Sequence, residues 1–313
     1  MRRMSEHSLE QALKRLVKEA RFRLGSARQA RHLHRRIDEL QRESGIGEQD
    51  VAWILSAGRT GSSWLAAMME DAFGLTQWFE PRIGNFFDRE WMRQQGGRGF
   101  VFHRKHEREW LPAVRAFILT AASARFPRAQ SLVIKETGGS MNADILLGAL
   151  SESKAVLLPR DPRDVCASWQ DAYSEGGWRD VQSRKGGRSN PLAKQGPDEH
   201  ARRRAENYVR VMEPALRAFE AHEGPKVSVS YEELVEDTEK SLTRIATSLG
   251  YSTDNIEKTA RAHSFENMPS DKQGAGKFYR KGKAGTYHED LTKEQIQIVE
   301  EVCGSLMEKL GYS

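Results

Sequence analysis

An α/β fold, with a central and mostly parallel sheet flanked by helices, is what this sequence predicts, and three observations predict it. Short apolar runs of strand length alternate with longer stretches of helical period. The short runs are apolar throughout rather than alternating, as strands covered on both faces are. Glycine-rich or proline-opened turns stand at the C-terminal ends of two of these runs, directly before helical patterns.

In chain order, residues 9 to 24 carry Leu9, Ala12, Leu13, Leu16, Val17, Ala20 and Leu24 on one helical face, with Lys14, Arg15, Lys18, Arg21 and Arg23 largely elsewhere. A second basic stretch runs from Arg28 to Arg42. The body begins near Val51 with the apolar run Val51 to Ser56, followed by Gly58 and Gly61 and then an apolar-periodic run from Trp64 to Phe73: strand, tight loop, helix. Leu132 to Ile134, Ala155 to Leu158 and Lys226 to Val229 read as buried strands. Met141 to Leu150, Pro162 to Tyr173, His200 to Ala221 and Glu239 to Leu249 read as helices, the last stopped by Gly250. Thr292 to Gln295 forms a capping-box pattern opening a final helix to Leu310. Residues 175 to 198, with five glycines and two prolines, read as one long loop of the kind that often serves as a lid or binding element. Two regions follow: a basic amphipathic helical extension over 1–45 and an enzyme-sized domain over 46–313.

Composition narrows the class. The 313 residues carry 49 Lys and Arg against 44 Asp and Glu, a net charge of +5. Residues 1 to 43 hold twelve of the basic and six of the acidic groups, so the basic balance belongs to the N-terminal arm and the body is close to neutral. The arm's apolar face suits packing on the body or on a second copy of the chain, and its charge suits peripheral contact with an anionic membrane. Its single aromatic, Phe22, argues against nucleic acid. The two cysteines, Cys166 and Cys303, argue against a disulfide framework and a cysteine zinc site and suit a reducing compartment. Without an apolar stretch of membrane-spanning length or a secretory leader pattern, the expected location is the cytoplasm, with the basic arm reaching a membrane surface.

The segment Ser56 to Trp64, Ser-Ala-Gly-Arg-Thr-Gly-Ser-Ser-Trp, lies between strand and helix. Glycines let the backbone approach an anion, and the first amides of the helix then hold it. A nucleoside-triphosphate loop would need G-x-x-x-x-G-K-[ST]; here Ser56 stands for the first Gly and Ser62 for the Lys, with Arg59 carrying the charge inside the loop. Arg160 to Ser168, Arg-Asp-Pro-Arg-Asp-Val-Cys-Ala-Ser, follows a strand and opens a helix, and its leading Arg offers a fork of donors for phosphate. Phe278 to Thr292 concentrates Arg280, Lys281 and Lys283 around Gly282 and Gly285.

In these three segments the chain resembles the sulfotransferases that use 3′-phosphoadenosine-5′-phosphosulfate (PAPS). Their phosphosulfate loop, roughly [KR]-[ST]-G-[ST]-[ST]-[WFL], is matched by Arg59, Thr60, Gly61, Ser62, Ser63 and Trp64. Their 3′-phosphate motif is matched by Arg160 and Ser168, and their Arg-Lys-Gly loop by Arg280, Lys281 and Gly282. Val229 to Leu234 is similar to the element whose Tyr approaches adenine, here Tyr231, and His263 to Met268 to the segment whose Phe stacks on the base, here Phe265. Trp64 would face the adenine from the other side. The resemblance covers residue 50 to the C-terminus, in order, and leaves out the arm and the 175–198 loop. It implies a P-loop NTPase-like sulfotransferase fold, PAPS as donor, adenosine 3′,5′-bisphosphate (PAP) as product, and no metal.

Sulfuryl transfer is in-line and depends on positioning and charge neutralisation. The resemblance makes Arg59 and the amides of Gly61, Ser62 and Ser63 the holders of the leaving 5′-phosphate, and Lys135 the cation on the sulfuryl oxygens. The cytosolic branch of the family carries Lys-[Thr/Ser]-His where this chain reads Lys135-Glu136-Thr137, so its histidine base is missing here. Carbohydrate-type and protein-tyrosine-type members carry a Glu, often before Pro, at the place of Glu80-Pro81. A carboxylate beside the apolar Trp78/Phe79 wall would hold a proton more readily, which suits proton abstraction. Glu80 is therefore the expected base, ahead of Glu136 and of His103 or His106. The acceptor expected from the Glu-Pro pattern is a small-molecule, carbohydrate or lipid-linked hydroxyl, or an amine. A P-loop kinase, or a non-catalytic nucleotide binder, is the alternative.

Overall fold

The computed structural model of the chain describes residues 45–87, 106–267, 274–277 and 281–312. The N-terminal extension apart from Gly45, His103, and Arg280 lie outside the described residues. In chain order the elements are β1 (Val51–Leu55), α1 (Ser62–Phe73), β2 (Thr76–Phe79), α2 (Glu107–Arg125), β3 (Leu132–Glu136), α3 (Ala143–Ala149), β4 (Lys154–Leu157) and α4 (Pro162–Tyr173). They continue with α5 (Trp178–Lys185), α6 (Pro191–Gln195), α7 (Pro197–Ala221), β5 (Lys226–Ser228), α8 (Tyr231–Glu236), α9 (Thr238–Leu249), α10 (Ile256–Ala262), α11 (Tyr287–Asp290) and α12 (Lys293–Leu310).

The five strands form one parallel sheet in the order β2-β3-β1-β4-β5. Its inner strands are buried on both faces, which is why they read as unbroken apolar runs. On β1, Trp53 and Leu55 turn to a core shared with α2, α3, α7 and α12, while Ala52 and Ile54 turn to one shared with α1 and α9. The chain runs from β1 out to the β2 edge, returns to β3, and then crosses β1 to β4. The loop after β1 therefore leaves toward the face covered by α1, those after β3 and β4 toward the face covered by α3 and α4, and a crevice opens outside the carboxyl ends of these strands.

Two expectations need correction. The stretch 175–198 is not one long loop: it folds into α5 and α6, the latter capped by Asn190, whose side chain accepts from the amides of Leu192 and Ala193. Its glycines act at helix boundaries instead, as at Gly196 with φ 82°. Thr76 to Phe79, read only as a short apolar run, is the edge strand β2, paired with β3 from Thr76↔Leu132 to Phe79↔Lys135. β3 runs past Ile134 through Lys135 to Glu136.

Candidate active site

Helix α1 begins at Gly61, whose φ of 86° only glycine adopts readily, and no side chain caps it. Backbone donors at Ser62 and Ser63 are thus left facing the crevice, at the positive end of a three-turn helix. Gly61 is required for a second reason: a Cβ there would lie 2.6 Å from the Tyr231 ring. Thr60 is buried and ties the loop to itself, its hydroxyl donating to the Ala57 carbonyl at 3.0 Å. Arg59 is held in the left-handed region at φ 72°, a strained conformation for a non-glycine residue.

The loop after β4 meets this turn directly. Arg160 Nη1 donates to the Arg59 carbonyl at 3.0 Å, and Arg59 Nε donates to Ser168 Oγ at 2.9 Å. Ser168 reaches this point because it lies two turns into α4, whose start is fixed by Asp161 accepting from the Arg163 amide and by Pro162 at its first position. Arg160 is buried, stacks 4.0 Å over the Tyr231 ring and pairs with Asp164 at 3.6 Å; among the described residues its Nε has no partner. A buried guanidinium N–H with no acceptor is a costly arrangement unless an anion completes it.

The late glycine-rich loop closes the same crevice. Asp164 accepts from the Gly285 amide at 2.7 Å, and Arg160 Nη2 reaches the Lys283 carbonyl at 3.5 Å. Gly282, at φ 61°, packs so closely on Phe265 that a Cβ would sit 2.3 Å from its ring. Lys281 lines the crevice, but its ammonium pairs with Glu289 at 2.7 Å and Asp290 at 2.9 Å. Trp64 meets Tyr231 edge to face at 6.4 Å and donates from Nε1 to the His263 carbonyl at 2.9 Å, so Trp64, Tyr231 and Phe265 share one aromatic end.

At the other end, Glu80 and Lys135 form an ion pair. Lys135 Nζ lies 2.6 Å from Glu80 Oε1, which also accepts from Thr137 Oγ1 at 2.5 Å. The Glu80 amide donates to the Lys135 carbonyl at 2.9 Å, extending the β2–β3 ladder by one bond, and then φ of 47° at Glu80 turns the chain so that its carboxylate points into the crevice. Lys135 sits 4.0 Å over the Phe79 ring and is almost wholly buried; that burial pushes its ammonium below the usual lysine range, against the pull of Glu80. The apolar wall expected beside Glu80 serves Lys135 instead, and Trp78 turns away to pack on Phe126.

Glu136 has a different place. It is fully buried beneath the site, accepting from the Ile83 and Gly84 amides through Oε2 at 3.1 and 3.4 Å, and it does not line the crevice. Burial pushes its carboxyl up to about 7. His106 opens α2 at the surface, 3.3 Å from Glu109.

These groups line one cavity of about 640 Å³. Of the described residues expected at the site it gathers all but Thr60, which sits under the loop, and the alternative bases Glu136 and His106. It also gathers residues that sequence reading missed: Trp169, Trp178, Arg179 and Gln182 from α4 and α5, Asn207 and Arg210 from α7, and Arg82 and Asn85 after β2. Asn207 and Arg210 are three apart on one face of α7, a spacing visible in the sequence but indistinguishable there from an ordinary polar face.

The family model for the sulfotransferase domain matches residues 49–311. No curated protein sequence matches the chain. Among solved structures, the chain is similar to mouse sulfotransferase SULT7A1 complexed with PAP, with 16% identity over 86% of this chain and 88% of that one and a TM-score of 0.53. It is also similar to sulfotransferase STF9 from Mycobacterium avium, with 13% identity over 90% of this chain and 82% of that one and a TM-score of 0.55. At such identities the likeness speaks for the fold, and the matched model speaks for the family: with its parallel sheet and its glycine turn at the head of α1, the chain belongs to the sulfotransferase-domain family.

Proposed function

We propose that the chain moves a sulfuryl group from PAPS to an acceptor hydroxyl, or amine, and releases PAP. The observation that carries this reading is the direct joining of two anion-binding turns more than a hundred residues apart: Arg59 to Ser168, and Arg160 to the backbone of Arg59. One adenosine with phosphates at both ends suits such a pair of turns. Its 5′-phosphosulfate would take the amides of Gly61, Ser62 and Ser63 together with Arg59. Its 3′-phosphate would take Arg160, Ser168, the backbone near Gly282, and Arg280 and Lys281 once Lys281 leaves its carboxylate partners. Trp64, Tyr231 and Phe265 would surround the base. A triphosphate has no second terminal phosphate to place at Arg160, and the turn lacks the lysine that grips β- and γ-phosphates.

The acceptor would enter over the carboxyl ends of β2 and β3. Its oxygen attacks sulfur as the sulfur bond to the 5′-phosphate oxygen breaks, and that oxygen keeps the electron pair. Glu80 takes the acceptor's proton, and Lys135 follows the sulfuryl oxygens. Glu80 is preferred over Glu136 because Glu80 faces the cavity, whereas Glu136 is committed to the Ile83 and Gly84 amides. With 35S-labelled PAPS and a panel of hydroxyl acceptors, wild type should transfer label. Glu80→Gln should lose about 10²-fold or more in rate while binding PAP as tightly as wild type. Absence of transfer by wild type, or loss of PAP affinity in step with turnover, would contradict the reading.

A further inference from the structure

The cavity holds more positive charge than the donor can use. Arg59, Arg160, Lys135 and the late loop match the phosphates and the sulfuryl group. Three further guanidiniums, those of Arg82, Arg179 and Arg210, line the same cavity. Arg210 donates to the amide oxygen of Asn207, at 2.9 Å, and Arg179 to that of Gln182, at 2.7 Å. Arg179 Nε is buried, with no partner among the described residues. Among the described residues no carboxylate lies within ion-pair distance of any of the three, although most other arginines around the sheet have one. Glu80 is the only acidic residue among the described residues lining the cavity, and Lys135 already neutralises it.

They differ in their placement relative to the donor turns: Arg82 lies across the sheet from them, whereas Arg179 shares the Trp178 ring with Arg59, which stands 5.7 Å from its centroid. The donor turns follow β1 and β4, with Tyr231 just beyond β5. Arg82 follows β2, at the opposite edge of the sheet and two residues from Glu80, held in the left-handed region at φ 61°. Arg210 projects from α7, which packs on the 3-10 turn Gly139–Asn142 just after β3. Arg179 lies on α5 and is braced by the rings of Trp178 and Trp169, at 4.6 and 5.5 Å. Positive groups without carboxylates around one half of a cleft raise the local concentration of anions and reject cations. Guanidiniums, with their planar fork of donors, suit carboxylate, sulfate or phosphate.

Resting on the reading of Glu80 as base, we infer that the acceptor is itself anionic: a hydroxyl compound bearing a carboxylate, or an oxyanion such as an existing sulfate or phosphate ester, gripped by Arg82 and Arg210, with Arg179 adding its charge to the same cavity. The amides of Asn85, Asn207 and Gln182 supply hydrogen bonds to the remainder. Cationic acceptors, including amines protonated at neutral pH, are disfavoured by the same field.

The test is a calorimetric titration of enzyme saturated with PAP, using benzyl alcohol, 4-(hydroxymethyl)benzoate and 4-(hydroxymethyl)phenyl phosphate as matched probes. The two anions should bind at least about tenfold tighter than the neutral alcohol, and comparing them tells carboxylate from phosphate. In the Arg82→Gln/Arg210→Gln variant this advantage should disappear while PAP affinity and thermal midpoint stay as in wild type. Equal affinity for the alcohol and the anions, failure of the anions to bind, or an anion advantage that survives in the variant would overturn the inference. Failure of PAP itself to bind would instead sink the donor reading.

Discussion

Gly61 carries two constraints at once, a positive φ and a ring in van der Waals contact, and the sequence showed neither. What it showed was a glycine before two serines and a tryptophan; that Tyr231, 170 residues later, closes on its Cα is a tertiary fact. Gly61→Ala must push Tyr231 aside and adopt a left-handed φ, which should cost about 1–3 kcal/mol and weaken PAP binding, because Tyr231 also carries Arg160 on its face. A denaturant series with a parallel PAP titration checks both, and unchanged PAP affinity would mean that the Tyr231–Arg160 stack is not part of the nucleotide site. Glu136 stood second to Glu80 as a candidate base because of its position beside Lys135. Its orientation down into the core gives it the task of holding the Ile83–Gly84 turn, and with it the strained Glu80–Arg82 segment. With its carboxyl raised from the ordinary 4.5 to about 7, the folded chain keeps a proton there that the unfolded chain has released. Stability from this group is therefore full below about pH 4.5 and is lost as pH rises through 7. Glu136→Gln removes that dependence: between pH 5 and pH 8 the variant should gain about 2–3 kcal/mol relative to wild type, read from urea midpoints. A difference that does not move with pH would contradict this account of Glu136.

Element by element, the sequence was most readable where local signals and burial agree. The capping box Thr292 to Gln295 opens α12 as expected, with Thr292 Oγ1 accepting from the Gln295 amide at 3.2 Å and Gln295 Oε1 from the Thr292 amide at 3.1 Å. Pro162 to Tyr173 is a helix over that same span. β2 was missed because it is a short edge strand, with residues only partly buried on one side of the sheet, so periodicity had little to register. The helices α5 and α6 were missed because glycine and proline mark helix ends as well as loops, and only their φ values tell these uses apart. A cap read correctly at this scale should act only at this scale. Thr292→Ala should destabilise the fold by about 1 kcal/mol, seen as a lower urea midpoint, with PAP affinity unchanged because Thr292 does not line the cavity and the contacts of α12 to α4 come from further along it, as at Glu300 with Arg163. A fall in PAP affinity as large as the fall in stability would show that α12 supports the site.

For the whole molecule, the order β2-β3-β1-β4-β5 explains why segments scattered along the chain form one site. The Arg59 and Arg160 turns, Glu80, Lys135 and Tyr231 lie at the carboxyl end of a strand or the start of the following helix, the late loop folds back onto Asp164 and Arg160, and the loop after β1 leaves on the face opposite those after β3 and β4. That convergence was foreshadowed by three anion-binding segments in a fixed order. The lining contributed by α5 and α7 was not, since it depends on how helices fold back over the sheet. In the function proposed above, the nucleotide would lie over β1, β4 and β5 and the acceptor over β3 and β2. The most direct measurement is a calorimetric comparison of PAP, 5′-AMP and magnesium-ATP binding to the full chain. PAP should bind at least about tenfold tighter than either of the others, with its advantage over 5′-AMP lost in Arg160→Gln. Preference for magnesium-ATP, or equal affinity for PAP and 5′-AMP, would contradict the shared two-phosphate site on which the account stands.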